Sequence, residues 1–312
     1  MTQSNNIIKS IRESSGIRLA VLFGSFFIFL LLSSIISLVI DKLPGDERTH
    51  TLISSTVQCV LGFCLPALLL AKFSTGKNRD SLKWLHLSTP PTLKAIVGVV
   101  MIYIISMPAM EWLIEWNANL HLPESMASIE TLFRKWESNA EESSKMLLET
   151  HGWLSVLAGV LVIGILTGFS EELFFRGGLQ GIFVRGFKND RGTAIWLAAF
   201  VFSTMHFQFF GFIPRLLMGA FFGYLLVWTR SLWVPVFAHA LNNSIVVITA
   251  AVTGEVSTSI LDSQHSGIDF GNSMVVIGSV LLTVIFLTIF KDIFFKSNHR
   301  WQKSQLPPVT GK

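Results

Sequence analysis

Ser170-Glu171-Glu172-Leu173-Phe174-Phe175-Arg176 places two carboxylates and a guanidinium inside a stretch that is otherwise apolar from Trp153 to Phe187. Ionisable side chains at membrane depth are costly, so they are expected to be partnered or to carry a function. Spacing separates the two carboxylates. On a helix Glu172 and Arg176 are four residues apart and share a face, where they pair. Glu171 points about 100° away, because a turn takes roughly 3.6 residues. The expectation is a locked Glu172–Arg176 pair beside a Glu171 that is free to react. The plainer alternative is that Ser170 caps a helix whose first turn is acidic.

Outward from this stretch the chain is apolar. Of its 312 residues 51% are hydrophobic and only 14% are charged, against the roughly 25% charged of a soluble domain. Several runs reach the ~20 residues needed to cross a bilayer. Eight are expected, at 17–40, 51–73, 93–116, 153–187, 193–210, 212–229, 232–252 and 274–295. The fold class is therefore an all-α integral membrane bundle, with a soluble helical bundle as the alternative. The chain reads as a single polytopic domain, 1–312. Its N-terminal spans and acidic loop occupy 1–150, a core with the polar motifs 151–252, and a last span and basic tail 253–312. The first run is too long for a cleaved signal and lacks a small-x-small site, so it counts as a retained span. Pro66 is expected to kink the second run. The fourth run is longer than a bilayer needs, which calls for tilt, a break near Gly168–Ser170 or extension past the membrane surface.

Residues 117–151 form the longest polar stretch. Met126, Ile129, Leu132, Phe133 and Trp136 recur there at helical spacing, which predicts an amphipathic helical segment. A solvated loop with one packed face is favoured over a substrate-gathering cap. Cys59 and Cys64 are five apart in an apolar run and read as fillers, not as a disulfide or a metal pair. Gly177/Gly181 and Gly219/Gly223 read as helix-packing spacings.

The net charge of +4 is better read as membrane orientation than as an acidic partner, and nucleic acid is not expected. Lys9, Arg12, the 72–94 loop, Arg185, Lys188, Arg191, Arg230 and the basic tail fall on one side of an eight-span chain. The acidic 117–151 loop and the Lys/Arg-free 253–271 loop fall on the other. Cytoplasmic termini satisfy the positive-inside rule, and a cell membrane is the expected location.

Three polar islands mark the apolar second half: Glu171-Glu172-x-x-x-Arg176, Phe202-x-x-x-His206 and His239-x-x-x-Asn243. A single buried His is usually a hydrogen-bonded packing residue. Two His, an Asn and a Glu pair on three consecutive elements point instead to a site in a bundle. A desolvated Glu171 makes a stronger base and could take a proton from water, with His206 holding that water or sharing the proton. His239 and Asn243 could donate to the oxygen of an attacked carbonyl. Such a set is an amide hydrolase with no covalent intermediate. His-Glu-x-x-His and Gly-x-Ser-x-Gly are both absent. Zinc held by Glu171, His206 and His239 suits the ligand types, but nothing in the sequence demands it. No cofactor and no metal are therefore expected, with a zinc-dependent membrane protease as the open alternative.

Glu171-Glu172-Leu173-Phe174-Phe175-Arg176-Gly177, Phe202-Ser203-Thr204-Met205-His206 and His239-Ala240-Leu241-Asn242-Asn243 together resemble the three ordered motifs of the CAAX protease and bacteriocin-processing family. Its best-known members are the Ras-converting CAAX endopeptidases. The resemblance implies an intramembrane glutamate-type endopeptidase of eight helices. It implies that Glu171 and His206 activate the water and that His239 and Asn243 form the oxyanion hole. Arg176 would be structural, with Glu172 and Phe202 in support. The expected partners are the bilayer and a membrane-associated peptide or protein, cut near the cytoplasmic leaflet. A non-catalytic binding or bacteriocin-immunity protein and a proton-coupled transporter are the readings from other classes. His206 lies late in its run and His239 early in an oppositely directed one. Bringing both level with Glu171 requires tilt or irregular helix ends.

Overall fold

The computed structural model describes residues 11–76, 78–149, 152–187, 190–254 and 273–305; the 255–272 stretch, and with it nearly all of the Lys/Arg-free loop, lies outside them. Among the described residues the chain is helical with no strand. The elements are α1 (Ser15–Ile40), α2 (Glu47–Thr75), α3 (Asn78–Trp84), α4 (Leu93–Ala118), α5 (Ala127–Leu148), α6 (Trp153–Gly186), α7 (Arg191–Thr204), α8 (Phe212–Thr229), α9 (Trp233–Thr253) and α10 (Ser273–Gln305). Local chemistry sets their ends. Asp46, Thr92 and Asp190 accept the first backbone N–H groups of α2, α4 and α7, which satisfies donors a helix start leaves open. Gly76 ends α2 in the left-handed conformation at φ 74°, which a residue without Cβ adopts readily.

Seven of these helices are long and apolar enough to cross a membrane. The expected run at 193–210 differs: it holds α7, of 14 residues, about 21 Å at 1.5 Å per residue and short of the ~30 Å hydrocarbon layer. The chain then turns at Met205–Phe207, where Phe207 takes φ 54°. Outer helix faces are apolar and exposed, as at Phe27, Leu31, Ile104 and Val284, which is how a lipid-facing surface differs from a soluble one.

α6 is the axis of the bundle. It does not break at Gly168–Ser170. It runs as one helix in which π-helical turns at Val160–Leu166 and Leu173–Gln180 flank an α-helical segment, Thr167–Glu172. Ser170 is interior and donates back to the Thr167 carbonyl at 3.1 Å, so it is not a cap. Leu173, Phe174, Phe175 and Leu179 are all buried, and Phe174 meets the rings of Phe23, Phe26 and Phe63 from α1 and α2. Pro66 follows a third π turn, Cys59–Cys64, so the irregularity there precedes the proline. Both cysteines are free thiols.

A Gly-x-x-x-Gly spacing beyond the two singled out above governs how α6 meets α9. Gly164 and Gly168 face Ser244 and Ala240 across the contact. A Cβ on Gly168 would stand 2.9 Å from the Ala240 nitrogen and 3.1 Å from its Cα, both backbone atoms that cannot swing aside. Gly168→Ala should therefore push α9 away from α6 and cost about 1–3 kcal/mol, seen as a lowered thermal midpoint in detergent. Gly24→Ala, where an added Cβ meets nothing within 4 Å, should leave that midpoint unchanged.

Candidate active site

Glu172 and Arg176 stand four apart on α6 and pair as their spacing predicts, Nη1 to Oε1 at 2.7 Å, with both side chains essentially inaccessible. The guanidinium does more than hold the carboxylate. Its Nη2 donates to the Gly219 carbonyl of α8 at 2.9 Å, and its plane lies over the Phe202 ring at 4.5 Å and the Phe222 ring at 5.3 Å. One turn on, Gln180 donates to the Gly223 carbonyl at 3.2 Å. Gly219 and Gly223 thus serve as more than packing residues. Their missing Cβ atoms let α8 lie against Ala199 and Ile195 of α7, while their carbonyls accept from the α6 side chains.

Glu172 has a second partner. The same Oε1 accepts from His239 Nδ1 on α9 at 2.9 Å. His239 Nε2 faces Glu171 Oε2 at 3.8 Å, and its ring stacks on Phe222 with centroids 5.1 Å apart. His239 therefore sits between the two adjacent carboxylates, one on each ring nitrogen. Glu171 keeps 13% of its side chain accessible whereas Glu172 keeps none, the division expected from their positions on the helix.

His206 lies beyond the end of α7 on the irregular turn. Its Nδ1 meets the Phe202 carbonyl at 2.8 Å. A carbonyl only accepts, so Nδ1 carries the proton and Nε2 the lone pair when the ring is neutral. Phe202 sits edge-on to both imidazoles, with ring centroids 4.8 Å from His206 and 6.0 Å from His239. Asn243, one turn after His239, donates to the Ile163 carbonyl at 3.2 Å and accepts from Asn242 at 3.2 Å. Ile163 belongs to the first π turn, where the i→i+4 ladder is interrupted and carbonyls become available. This leaves Asn243 one amide hydrogen.

His206, His239, Asn242, Asn243, Phe202 and Phe222 line one cavity of about 590 Å³. Its opposite wall is α5. Arg134, Glu137, Ser138, Glu141 and Ser144 line it, at the three- and four-residue spacing of a single helix face. Ile129, Leu132 and Trp136 of α5 are exposed instead. The amphipathic segment is thus a wall of the cavity and not a free loop. Glu137 reaches Gln208 and the Phe210 N–H at 3.4 and 3.3 Å, and burial pushes its carboxyl above the ordinary range. Arg215 also lines the cavity and donates to the side chain of Gln208 at 2.8 Å. Sequence spacing did not single out Arg215 or Glu137. The signal for Arg215 was present, a cation at the start of an apolar run. A second, apolar cavity of about 330 Å³ shares Ile114, Met218, Phe222 and Asn242 with the first.

Among the described residues no three of His, Cys, Asp and Glu converge as a metal-binding group. Residues 153–245 match a family model described as Type II CAAX prenyl endopeptidase, Rce1-like. No curated protein and no solved structure matches the chain.

Two outcomes test this arrangement. Arg176→Met leaves a carboxylate buried beside a single imidazole, so it should cost about 3–5 kcal/mol in denaturation in detergent. Arg176→Lys should not restore the loss, because an ammonium lacks the fork that reaches both Glu172 and Gly219. Glu130 anchors the start of α5: it accepts from the Leu122 N–H at 2.8 Å and from Arg134 at 2.9 Å. These contacts, the Leu122 bond first, hold its carboxyl at about 2 against an ordinary 4.5. The stabilisation is complete above 4.5 and is lost as pH falls toward 2. Hydrogen exchange at Leu122, corrected for its intrinsic rate, should accelerate across that window. A flat profile contradicts the anchor.

Proposed function

We propose that this chain, whose residues 153–245 match the Type II CAAX prenyl endopeptidase model, is an intramembrane endopeptidase in which Glu171 and His206 activate a water molecule. The observation that carries this reading is the division of labour between the two carboxylates. Oε1 of Glu172 is held by both Arg176 and His239, and the whole side chain is closed off from solvent. Glu171 is bonded to neither and faces an imidazole across 3.8 Å.

In this reaction Glu171 takes a proton from water as the oxygen attacks the scissile carbonyl carbon. His206 Nε2, left with a lone pair by the Nδ1 bond to Phe202, orients that water. The tetrahedral oxyanion accepts hydrogen bonds from the free amide hydrogen of Asn243 and from His239 Nε2. His239 can give from Nε2 only as an imidazolium, since Nδ1 already donates to Glu172. Collapse of the intermediate breaks the C–N bond, and protonated Glu171 returns its proton to the leaving amine. The products are a carboxylate and an amine, and no acyl-enzyme forms. No resident metal takes part in this scheme. Helices with apolar outer faces support a bilayer-embedded enzyme, and the apolar cavity beside the polar one suits a hydrophobic portion of a peptide substrate. Both termini are taken to be cytoplasmic, on the distribution of Lys and Arg.

Glu171→Gln should lower kcat by about 10²–10⁴ on a cleaved membrane peptide with the thermal midpoint unchanged. His206→Ala should do the same. Asn243→Ala should lower kcat by about 10²–10³ with little change in KM. Activity that survives exhaustive chelation separates this scheme from a zinc enzyme; activity lost to chelator and restored by zinc would replace it. A Glu171→Gln protein that still cleaves would overturn the reading.

A further inference from the structure

The polar cavity is lined unequally along the bundle. Toward the Gly186 end of α6 it is plugged by Arg176 and Gln180 and, behind them, by Leu179, Ile182 and Leu225, none more than 1% exposed. Loop 85–89 seals that side further. The Leu232 N–H donates to the His86 carbonyl at 3.1 Å and the Ser231 hydroxyl to the Thr89 carbonyl at 2.6 Å. Toward the other face the lining continues through Asn243 and Val246 of α9, Ala118 at the end of α4 and the polar face of α5.

Charge tells the two faces apart. Lys72, Lys83, Lys94, Arg185, Arg191 and Arg230 all stand at helix ends or turns of the plugged face. Among the described residues the open half holds Lys42, Arg48, Arg134, Lys135, Lys145 and Arg215. A basic rim marks the cytoplasmic side. The cavity therefore opens away from it. His239 is six residues into α9 from Trp233, about 9 Å along the axis. The chemistry is thus closer in depth to the basic face, while its access is from the other.

We propose that the site is loaded from the non-cytoplasmic face, and that what enters beneath α5 is a polypeptide segment presented on that side. The mouth carries Arg134, Arg215, Glu137, Glu141, Ser138 and Gln208, groups of both signs together with neutral donors and acceptors. Such a lining meets the N–H and C=O groups of a peptide backbone, which must be partnered when they leave water. It is a poor lining for a hydrocarbon chain. Arg215 makes its hydrogen bonds to Gln208, through the side chain and the carbonyl, and no carboxylate is within ion-pair reach of it among the described residues. It therefore presents a cation to the entering segment. The exposed Ile129, Leu132 and Trp136 on the other flank of α5 suit a helix lying in the membrane interface, where it roofs the entrance.

The peptide chemistry here rests on the peptidase reading above, while the direction of access does not, so the test has two arms. In a background with Cys59→Ala and Cys64→Ala, Ser138→Cys reports the mouth and Lys83→Cys the plugged face. A membrane-impermeant maleimide should label Ser138→Cys in intact cells and Lys83→Cys only after permeabilisation. Ser143→Cys and Lys94→Cys repeat the comparison should either first variant fail to fold. The reverse pattern overturns the proposal. In the second arm, the wild-type protein in sealed vesicles meets a water-soluble fluorogenic peptide added outside. Right-side-out vesicles should cleave it at least tenfold faster than inside-out ones. Faster cleavage by inside-out vesicles overturns the direction of access. Cleavage by neither, with the labelling as expected, overturns the peptide as the entering group and leaves the direction standing.

Discussion

A single buried carboxylate oxygen, Oε1 of Glu172, accepts from both Arg176 and His239. Removing a carboxylate from water costs several kcal/mol unless charge and hydrogen bonds replace the solvent. Here two donors from different parts of the bundle supply them. Arg176 is held in turn by the Gly219 carbonyl and by the rings of Phe202 and Phe222. One charge thus connects α6 to α8 and α9, and brings in Phe202 of α7. The orientation of His239 follows from it, because the ring's Nδ1 is committed and only Nε2 is left facing Glu171.

Close backbone approach makes this network reachable. Gly164 and Gly168 let α9 lie against α6, and Gly219 and Gly223 let α8 lie against α7. In a bilayer, helices gain little by burying apolar surface against one another, since lipid is as apolar as leucine. Close packing and interhelical hydrogen bonds carry more of the association. The π turns contribute by the same logic. They free carbonyls that a regular helix would use internally, and Asn243 takes one of them, that of Ile163.

The cavity is asymmetric because the network closes it on one side. Beneath Arg176 and Gln180 lie only buried apolar side chains. On the other side α7 stops short, and the polar face of α5 lines the cavity. Glu171 keeps 13% of its side chain accessible and Glu172 none. Adjacent residues of the same type thereby acquire opposite roles from their surroundings.

The sequence by itself determined the membrane class, the helical content, the Glu172–Arg176 pair and the three polar islands. These rest on local quantities: hydrophobic run length, and the fixed 3.6-residue turn that puts residues four apart on one face. It did not disclose the second hold on Glu172 by His239, because that contact joins residues 67 apart in the chain. Nor did it disclose the continuity of α6 through Gly168–Ser170, the truncation of α7, or the turning of the polar face of α5 onto the cavity. A break near Gly168–Ser170 is a sound local expectation, and here packing against neighbours keeps the helix continuous. Gly164-x-x-x-Gly168 was legible as a spacing, but only the neighbouring backbone of α9 gives it meaning. Which end of the cavity is open was decided by tertiary structure alone, since it depends on where several helices stop relative to one another, and no local pattern encodes that.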